Sequence, residues 1–73
     1  MAQENILLPP KITLEAARVN AHMQQKAAAK HIGVTPSTLR SWENGKTVPN
    51  YEQAVTLCRL YGYPIQFIIF GSN

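Results

Sequence analysis

The chain has 73 residues, a formal net charge of +3, 45% hydrophobic residues and 15% charged residues. That length allows one small domain, and the composition is typical of a globular chain and not of a disordered one. The single cysteine, Cys58, excludes an intramolecular disulfide, which fits a protein of a reducing cytosol. The sequence contains no run of 18 or more apolar residues, so we expect no membrane span.

Residues 1–12 are predicted to form a leader or arm. They include a short apolar run, Ile6-Leu7-Leu8, followed by two prolines. The leader has one base, Lys11, and one acid, Glu4, so contact with a polyanion is not its favoured role. Packing on the domain, extension as a short strand and disorder remain the alternatives.

The first predicted helix runs from about Leu14 to Asn20. Thr13 is a preferred N-cap, and Glu15 places a negative charge in the first turn, where it suits the helix dipole. The apolar stripe follows the i, i+3, i+4, i+7 spacing and includes Arg18. An arginine on an inward face needs a partner, so the sequence predicts an internal ion pair at this position.

The second predicted helix begins near Gln25, where the segment QKAAAK consists of good helix formers. Ala28, Ala29 and Ile32 give it one small apolar face, and alanine there indicates that a neighbouring helix approaches closely. Gly33 ends the helix, because glycine accepts the left-handed backbone conformation that follows a helix C-terminus.

A third helix is predicted after a short turn, since Thr35 is a preferred N-cap and Pro36 suits the first helical position. Leu39 and Trp42 stand three residues apart and form its inward stripe. The outer face has hydroxyls and one arginine in place of the alternating Glu and Lys of an ordinary surface helix. These residues are Ser37, Thr38, Arg40 and Ser41. Such side chains hydrogen-bond base edges and phosphates.

After this helix the sequence predicts a turn at Asn44-Gly45 and then a fourth helix. Asn50, followed three residues later by Gln53, is a capping box, and Gly62 ends the helix. The predicted inward stripe consists of Ala54, Leu57, Cys58 and Tyr61. A cysteine on that stripe is interpreted as a small core hydrophobe and not as a reactive or metal-binding group.

The last predicted element is a fifth helix that begins near Pro64 and ends at Gly71. It contains more large apolar side chains than one face can bury in so thin a domain. One interpretation is a floppy or strand-like end, because β-branched residues are dense here. The other is a subunit interface, since exposed apolar patches mark partner surfaces. The interface residues would be Ile65, Phe67, Ile68 and Phe70.

Residues 13–70 resemble the Cro/CI-type (XRE) helix-turn-helix family of phage and bacterial repressors. The pattern, counted from Gln25, has a small residue at the fifth position, glycine at the ninth, and apolar residues at the fifteenth and eighteenth. These are Ala29, Gly33, Leu39 and Trp42. The segment WENGK, which begins at Trp42, is similar to the family's signature at the end of the recognition helix.

The resemblance implies an all-α fold, a compact five-helix lambda-repressor-like DNA-binding domain at residues 13–71 with a tail at 72–73. The implied function is sequence-specific binding of double-stranded DNA as a transcriptional regulator of the repressor type. The recognition helix, about residues 36–43, would lie in the major groove. A homodimer would place two recognition helices about 34 Å apart on a roughly palindromic operator.

Residue roles follow from the same resemblance. Positions that face base edges correspond to Pro36, Ser37, Thr38, Arg40 and Ser41. Phosphate contacts correspond to Gln25, Lys26, Asn44 and Lys46. A structural glutamate of the family, here Glu43, would pair with Arg18 in the first helix.

Two positions depart from the family pattern. Gln24 replaces the usual Thr, Ser or Asn N-cap of the first motif helix, and its longer side chain caps less well. His22 stands where the family favours glycine, and histidine tolerates the left-handed region better than most other residues. Both changes bear on how the first motif helix meets a phosphate.

The charge balance of the motif agrees with a polyanionic partner. Between residues 18 and 46 there are five Lys or Arg and one acid, Glu43. If Glu43 pairs with Arg18, the motif surface is purely basic, which favours nucleic acid. The alternative is an ordinary solvated basic face, and charge alone does not decide between them.

Two other functions are weighed against DNA reading. A small phage-type modulator or antirepressor would use the same scaffold to bind a partner repressor, and an antitoxin subunit is a variant of that idea. An enzyme is not expected, because His22 and His31 have no nearby acid dyad, cysteine cluster or glycine-rich phosphate loop. We therefore expect no cofactor, no metal and no small-molecule substrate.

Overall fold

The computed structural model describes residues 8–71, most of which belong to four α-helices and the turns between them. The helices are α1 at Leu14–Asn20, α2 at Gln25–Ile32, α3 at Pro36–Glu43 and α4 at Tyr51–Tyr61. A 3-10 helix at Ile65–Phe67 and two short strands, β1 at Ile12–Thr13 and β2 at Ile68–Ile69, complete the described elements. Over residues 8–71, no helix has both the length and the hydropathy that a bilayer crossing needs.

Helices α1 and α3 begin at threonine N-caps, as the sequence predicts. The hydroxyl of Thr13 accepts a hydrogen bond from the backbone N–H of Ala16 at 3.0 Å. The hydroxyl of Thr35 accepts one from the N–H of Thr38 at 3.1 Å, and Pro36 occupies the first helical position. Each cap satisfies a backbone donor that the first helical turn would otherwise leave without a partner.

Helix α4 begins at the predicted capping box. The N–H of Gln53 donates to the side chain of Asn50 at 2.8 Å, and the N–H of Asn50 donates to the side chain of Gln53 at 2.9 Å. Gly33 and Gly62 end α2 and α4 with φ angles of 80° and 72°, in the left-handed region where a side chain would be strained. The start of α4 and the C-terminal ends of both helices therefore follow from local sequence.

The core lies between the four helices and strand β2. Both alanines of α2, Ala28 and Ala29, are fully buried, so the neighbouring helices can approach its backbone closely. Each residue of the predicted α4 stripe is buried. The buried cluster consists of Leu14, Ala17, Ala28, Ala29, Leu39, Trp42, Leu57, Cys58, Tyr61 and Ile68.

The predicted fifth helix is wrong, because the segment after α4 forms the 3-10 helix and then strand β2. This strand pairs in parallel with β1, with Ile12 opposite Ile68 and Thr13 opposite Ile69. Two adjacent β-branched residues favour an extended backbone, and β1 supplies the hydrogen-bonding partner. The strand-like interpretation of the C-terminal segment is therefore the correct one. Within residues 8–71 the α-helices number four.

The end of the predicted leader also belongs to this strand pair, since Ile12 lies in β1. The hydroxyl of Tyr63 donates to the carbonyl of Pro10, which joins this segment to the turn after α4. Residues 1–7, including Ile6 and Leu7 of the apolar run, lie outside the described residues, as does the tail at 72–73.

The apolar side chains of the C-terminal segment are largely covered by the domain, whereas the interface prediction requires them to be exposed. Ile68 is a core residue with 7% of its surface exposed, so it offers little surface to a partner. Ile65 and Phe70 are half-buried and pack against the core. Phe67 is half-buried too. The burial of Ile68 weighs against its part in an interface, and the interface prediction stays a prediction for all four residues.

Candidate nucleic-acid interface

Helix α3 has one buried face and one open face. Leu39 is fully buried and Trp42 is 6% exposed, and both belong to the core. Pro36, Ser37 and Arg40 are exposed on the other side. The inward stripe predicted from sequence therefore turns the hydroxyls and the guanidinium group of this short helix away from the core.

The hydroxyls on the open face differ in their hydrogen bonds. The Oγ1 atoms of Thr38 and Thr35 are 3.0 Å apart, and the Oγ of Ser41 lies 2.8 Å from the Oγ1 of Thr47. Thr38 and Ser41 are also half-buried. A hydroxyl has one donor and two acceptor sites, so each retains capacity for a further partner. In the described part of the chain, Ser37 has no such internal bond.

Arg40 is the main cationic group of the open face. It is exposed and makes no salt bridge with any carboxylate of residues 8–71. Its planar guanidinium can therefore offer its donors outward, in a geometry that matches two acceptors at once. An internal ion pair would have removed Arg40 from consideration as a nucleic-acid contact.

One shallow depression brings the predicted base and phosphate contacts together. The loop after α3 turns back on the helix, because the backbone N–H of Lys46 donates to the carbonyl of Ser41 at 3.0 Å. Gly45 makes that turn with a φ angle of 79°. The depression is lined by Ser37, Arg40, Ser41, Asn44 and Lys46. Two cationic side chains and several small polar groups thus surround one concave surface.

The opposite side of α3 is fixed by a buried carboxylate. Glu43, whose side chain is 2% exposed, accepts hydrogen bonds from the Nε of Arg18 at 2.7 Å and from its Nη2 at 3.2 Å. The Nη1 of Arg18 donates to the carbonyl of Met23 at 2.8 Å. The guanidinium group therefore joins α1, the turn before α2 and the C-terminal end of α3. Hydrogen bonding to Glu43 raises the pKa of Arg18.

Gln25 also belongs to this internal network. Its side-chain amide donates to the Oε1 of Glu43 at 2.8 Å, and the residue is half-buried. From the sequence we predicted a phosphate contact for this side chain, whereas the structure places it against the carboxylate. A carboxylate has more acceptor sites than one arginine fills, and that capacity was the signal that sequence reasoning missed.

The start of α2 is open, in line with the departures noted in the sequence. Gln24 makes no side-chain cap hydrogen bond. The turn before it requires His22 to adopt a φ angle of 59°, in the left-handed region. The first N–H groups of α2 thus lack a side-chain partner at its cap, and the exposed side chain of Lys26 lies in the same turn. Such helix starts attract anions.

Two buried groups beside the network, the hydroxyl of Tyr61 and the thiol of Cys58, favour their neutral forms. The hydroxyl of Tyr61 is buried without a hydrogen-bond partner within residues 8–71. Burial, with a smaller contribution from Glu43, raises the pKa of Tyr61 to about 12. Burial likewise raises the pKa of the Cys58 thiol, so the reactive thiolate is disfavoured there. His31 is exposed on α2.

Comparison with known proteins identifies a family but no individual relative. A family model described as helix-turn-helix matches residues 14–68 of the chain. The matched segment contains all four α-helices and the 3-10 helix, and it ends at the first residue of β2. No curated protein and no solved structure matches this chain.

Proposed function

Since this chain belongs to the Cro/CI-type (XRE) helix-turn-helix family, it is a DNA-binding regulator, and we propose that α3 reads a specific double-stranded operator. The supporting observation is the depression in which Arg40, Ser37 and Lys46 meet on the side opposite the core. A major groove admits an α-helix, and short polar side chains let its backbone approach the base edges.

The side chains divide into two roles in this proposal. Arg40 reads a guanine or grips a phosphate through its paired donors, because it is exposed and unpaired by any described carboxylate. The shorter side chains contact neighbouring base edges or thymine methyl groups. They are Pro36, Ser37, Thr38 and Ser41. Phosphates on either side are bound by Lys26, Asn44 and Lys46.

For Gln25 the proposed phosphate contact moves from the side chain to the backbone. The amide of its side chain is engaged with Glu43, whereas the first N–H groups of α2 have no side-chain cap. A phosphate placed at this helix start would receive those donors. The half-buried amide then acts on DNA binding indirectly, by fixing the position of α2 relative to α3.

We further propose that the protein is a repressor of phage or mobile-element type that acts in the bacterial cytoplasm as a homodimer. One recognition helix of eight residues contacts too few base pairs for tight specific binding. Two copies on a roughly palindromic site would double those contacts, with helices about 34 Å apart. Occupation of such a site would block access of the transcription machinery.

Selection of bound duplexes from a random DNA pool tests this function. We expect enrichment of symmetric sites by the full chain and, in Arg40→Ala, relaxed preference at one base pair of each half-site. Lys11→Ala is the matched control, because it removes one exposed positive charge outside the motif. Failure of the full chain to enrich any sequence would contradict the proposal, whereas equal enrichment by Arg40→Ala would remove only Arg40 from the base-reading residues.

The second candidate is a small modulator or antirepressor that binds a partner repressor. It is favoured by the internal hydrogen bonds of Thr38 and Ser41, which occupy part of the polar capacity of α3. A gel-shift experiment with and without the product of the neighbouring gene separates the two candidates. Selective retention of DNA by this chain alone supports direct reading, and binding only after the second protein is added supports the modulator.

A further inference from the structure

The outer face of α4 is a second surface that DNA reading does not use. It lies opposite the buried stripe of that helix and forms an open depression lined by Tyr51, Glu52, Val55, Thr56 and Arg59. The ring of Tyr51 is 75% exposed, the largest exposed fraction among the large hydrophobic residues that the structure describes. The half-buried Val55 lies beside this exposed ring on the same face of the helix.

A second depression continues this surface past the C-terminal end of α4. It shares Val55 and Arg59 with the first and extends to Gly62, Pro64 and Ile65. Its walls are mainly apolar. The outer face of α4 thus has an exposed aromatic at one end and an apolar hollow at the other.

The centre of this face is more apolar than its sequence suggests. The hydroxyl of Thr56 donates to the backbone carbonyl of Glu52 at 2.9 Å, which satisfies the polar group within the helix. Its methyl group is then the part that a partner can meet, beside the side chain of Val55. The midpoint of the helix therefore offers two small aliphatic groups.

Opposite charges flank that midpoint. Glu52 and Arg59 are both exposed, and neither forms a salt bridge with a described residue. They are seven residues apart, so they lie on the same side of the helix and about 10 Å from each other along its axis. No ion pair joins these two side chains within one chain.

We propose that this face is the dimer interface, occupied by the α4 helix of a second copy in antiparallel orientation. A two-fold axis between Val55 and Thr56 brings Glu52 of each copy opposite Arg59 of the other. The same axis directs Tyr51, whose side chain leans towards the helix N-terminus, at the apolar hollow of the second copy. One surface is thus complementary to itself in charge and in shape.

This inference deepens the proposed function, on which it rests for its biological purpose, by naming the surface that would join two DNA-reading copies. It differs from the interface predicted from the sequence, because Ile68 is buried and Ile65 contributes only to the rim of the hollow. The chain would associate with itself through this face in the absence of DNA.

Charge reversal tests the proposal, with sedimentation equilibrium of the full chain in low salt and without DNA. The wild-type chain is expected to form dimers. Glu52→Arg and Arg59→Glu each place like charges opposite one another twice, and each should weaken dimerisation by about tenfold or more. Lys11→Glu is the control for Arg59→Glu, because it makes the same change in net charge at an exposed position in another region.

A mixture of the two variants tests the proposed charge pairs most directly. An equimolar mixture of Glu52→Arg and Arg59→Glu chains restores both opposite-charge pairs across the axis, so heterodimers should form although each variant alone is mostly monomeric. The double variant should also regain self-association. A monomeric wild-type chain, or single variants that dimerise like the wild type, would overturn the proposal, as would a mixture without heterodimers.

The result is independent of DNA reading. Heterodimer formation together with failure of the DNA selection would contradict the proposed function and leave the interface supported. Successful DNA selection, with self-association unaffected by these substitutions, would support the proposed function and contradict the interface. Circular dichroism of each variant verifies that the exposed substitutions leave the helices folded.

Discussion

The two sides of α3 differ in whether their charged groups have a partner within the protein. On the inner side, the carboxylate of Glu43 is 2% exposed and accepts three hydrogen bonds from Arg18 and Gln25. On the outer side, Arg40 lies three residues earlier and is exposed, without an ion pair among the described residues. The first group fixes the angle of the helix, and the second is available to a partner. Residues of similar polarity thus have different roles because of the face on which they lie.

The largest effect is expected from Glu43→Ala, which breaks the inner side. The positive charge of Arg18 is then largely buried without its main partner. The free energy of unfolding should therefore fall by about 3–5 kcal/mol. Urea unfolding followed by circular dichroism measures the change. Lys11→Ala removes an exposed charge outside the helices and should change stability by less than about 0.5 kcal/mol. Equal effects of the two substitutions would refute the structural role of Glu43.

The outer side is tested by Arg40→Ala. We expect a loss of operator affinity of about 1–3 kcal/mol, with relaxed preference at one base pair and unchanged stability, if the guanidinium reads a base. Fluorescence anisotropy with the selected duplex and with single-base variants measures both quantities. Unchanged affinity together with unchanged base preference would remove Arg40 from the base-reading residues.

Gln25→Ala links the two sides, because the residue is half-buried and hydrogen-bonded to Glu43. Loss of this bond should lower the free energy of unfolding by about 1–2 kcal/mol. In a Glu43→Ala background, which has no side-chain acceptor at this position, the same substitution should have a smaller effect on stability and on operator affinity. Additive effects in this double-mutant cycle would instead favour a direct phosphate contact of the side chain.

The buried hydroxyl of Tyr61 gives a pH-dependent prediction. Its pKa of about 12 lies above the ordinary value of 10.0 for tyrosine. The contribution of this hydroxyl to the free energy of unfolding is therefore fully present below pH 10, and it is lost as the pH rises from 10 towards 12. Tyr61→Phe removes that part of the decline. Because the hydroxyl has no partner among the described residues, the variant should be equally stable or more stable, by up to about 1 kcal/mol, at neutral pH. Destabilisation there would indicate an unrecognised hydrogen bond.

The smallest expected effect is that of Lys46→Ala, which acts on affinity for all sequences. Loss of one phosphate contact should reduce the slope of log affinity against log salt by about 1 and leave base preference unchanged. Anisotropy titrations at several salt concentrations, on operator and on random duplex, measure this change. A change in base preference would place Lys46 among the base-reading residues instead.

Sequence reasoning succeeded where local chemistry decides the structure. The threonine caps, the capping box of Asn50 and the glycines that end α2 and α4 are short-range features, and each lies where it was predicted. The inward positions of Leu39 and Trp42 follow from the 3.6-residue period. The left-handed conformation of His22 likewise follows from turn chemistry.

Sequence reasoning failed where a segment distant in the chain determines the local structure. Ile68 and Ile69 become a strand because Ile12 and Thr13, more than fifty positions earlier, supply the neighbouring strand. No local pattern specifies that pairing. The hydrogen bond from Gln25 to Glu43 was also not foreseen, because the acceptor capacity of that carboxylate, on another helix, was not considered. The number of helices and the direction of one side chain were therefore beyond what local patterns reveal.

The measurement that tests the central claim most directly is NMR titration of the labelled chain with its selected duplex. The account predicts that the largest amide shift changes lie at Ser37, Arg40, Ser41 and Lys46, with only small changes on the outer face of α4. Shift changes concentrated at Tyr51, Val55 and Arg59, or absent from the open face of α3, would contradict it.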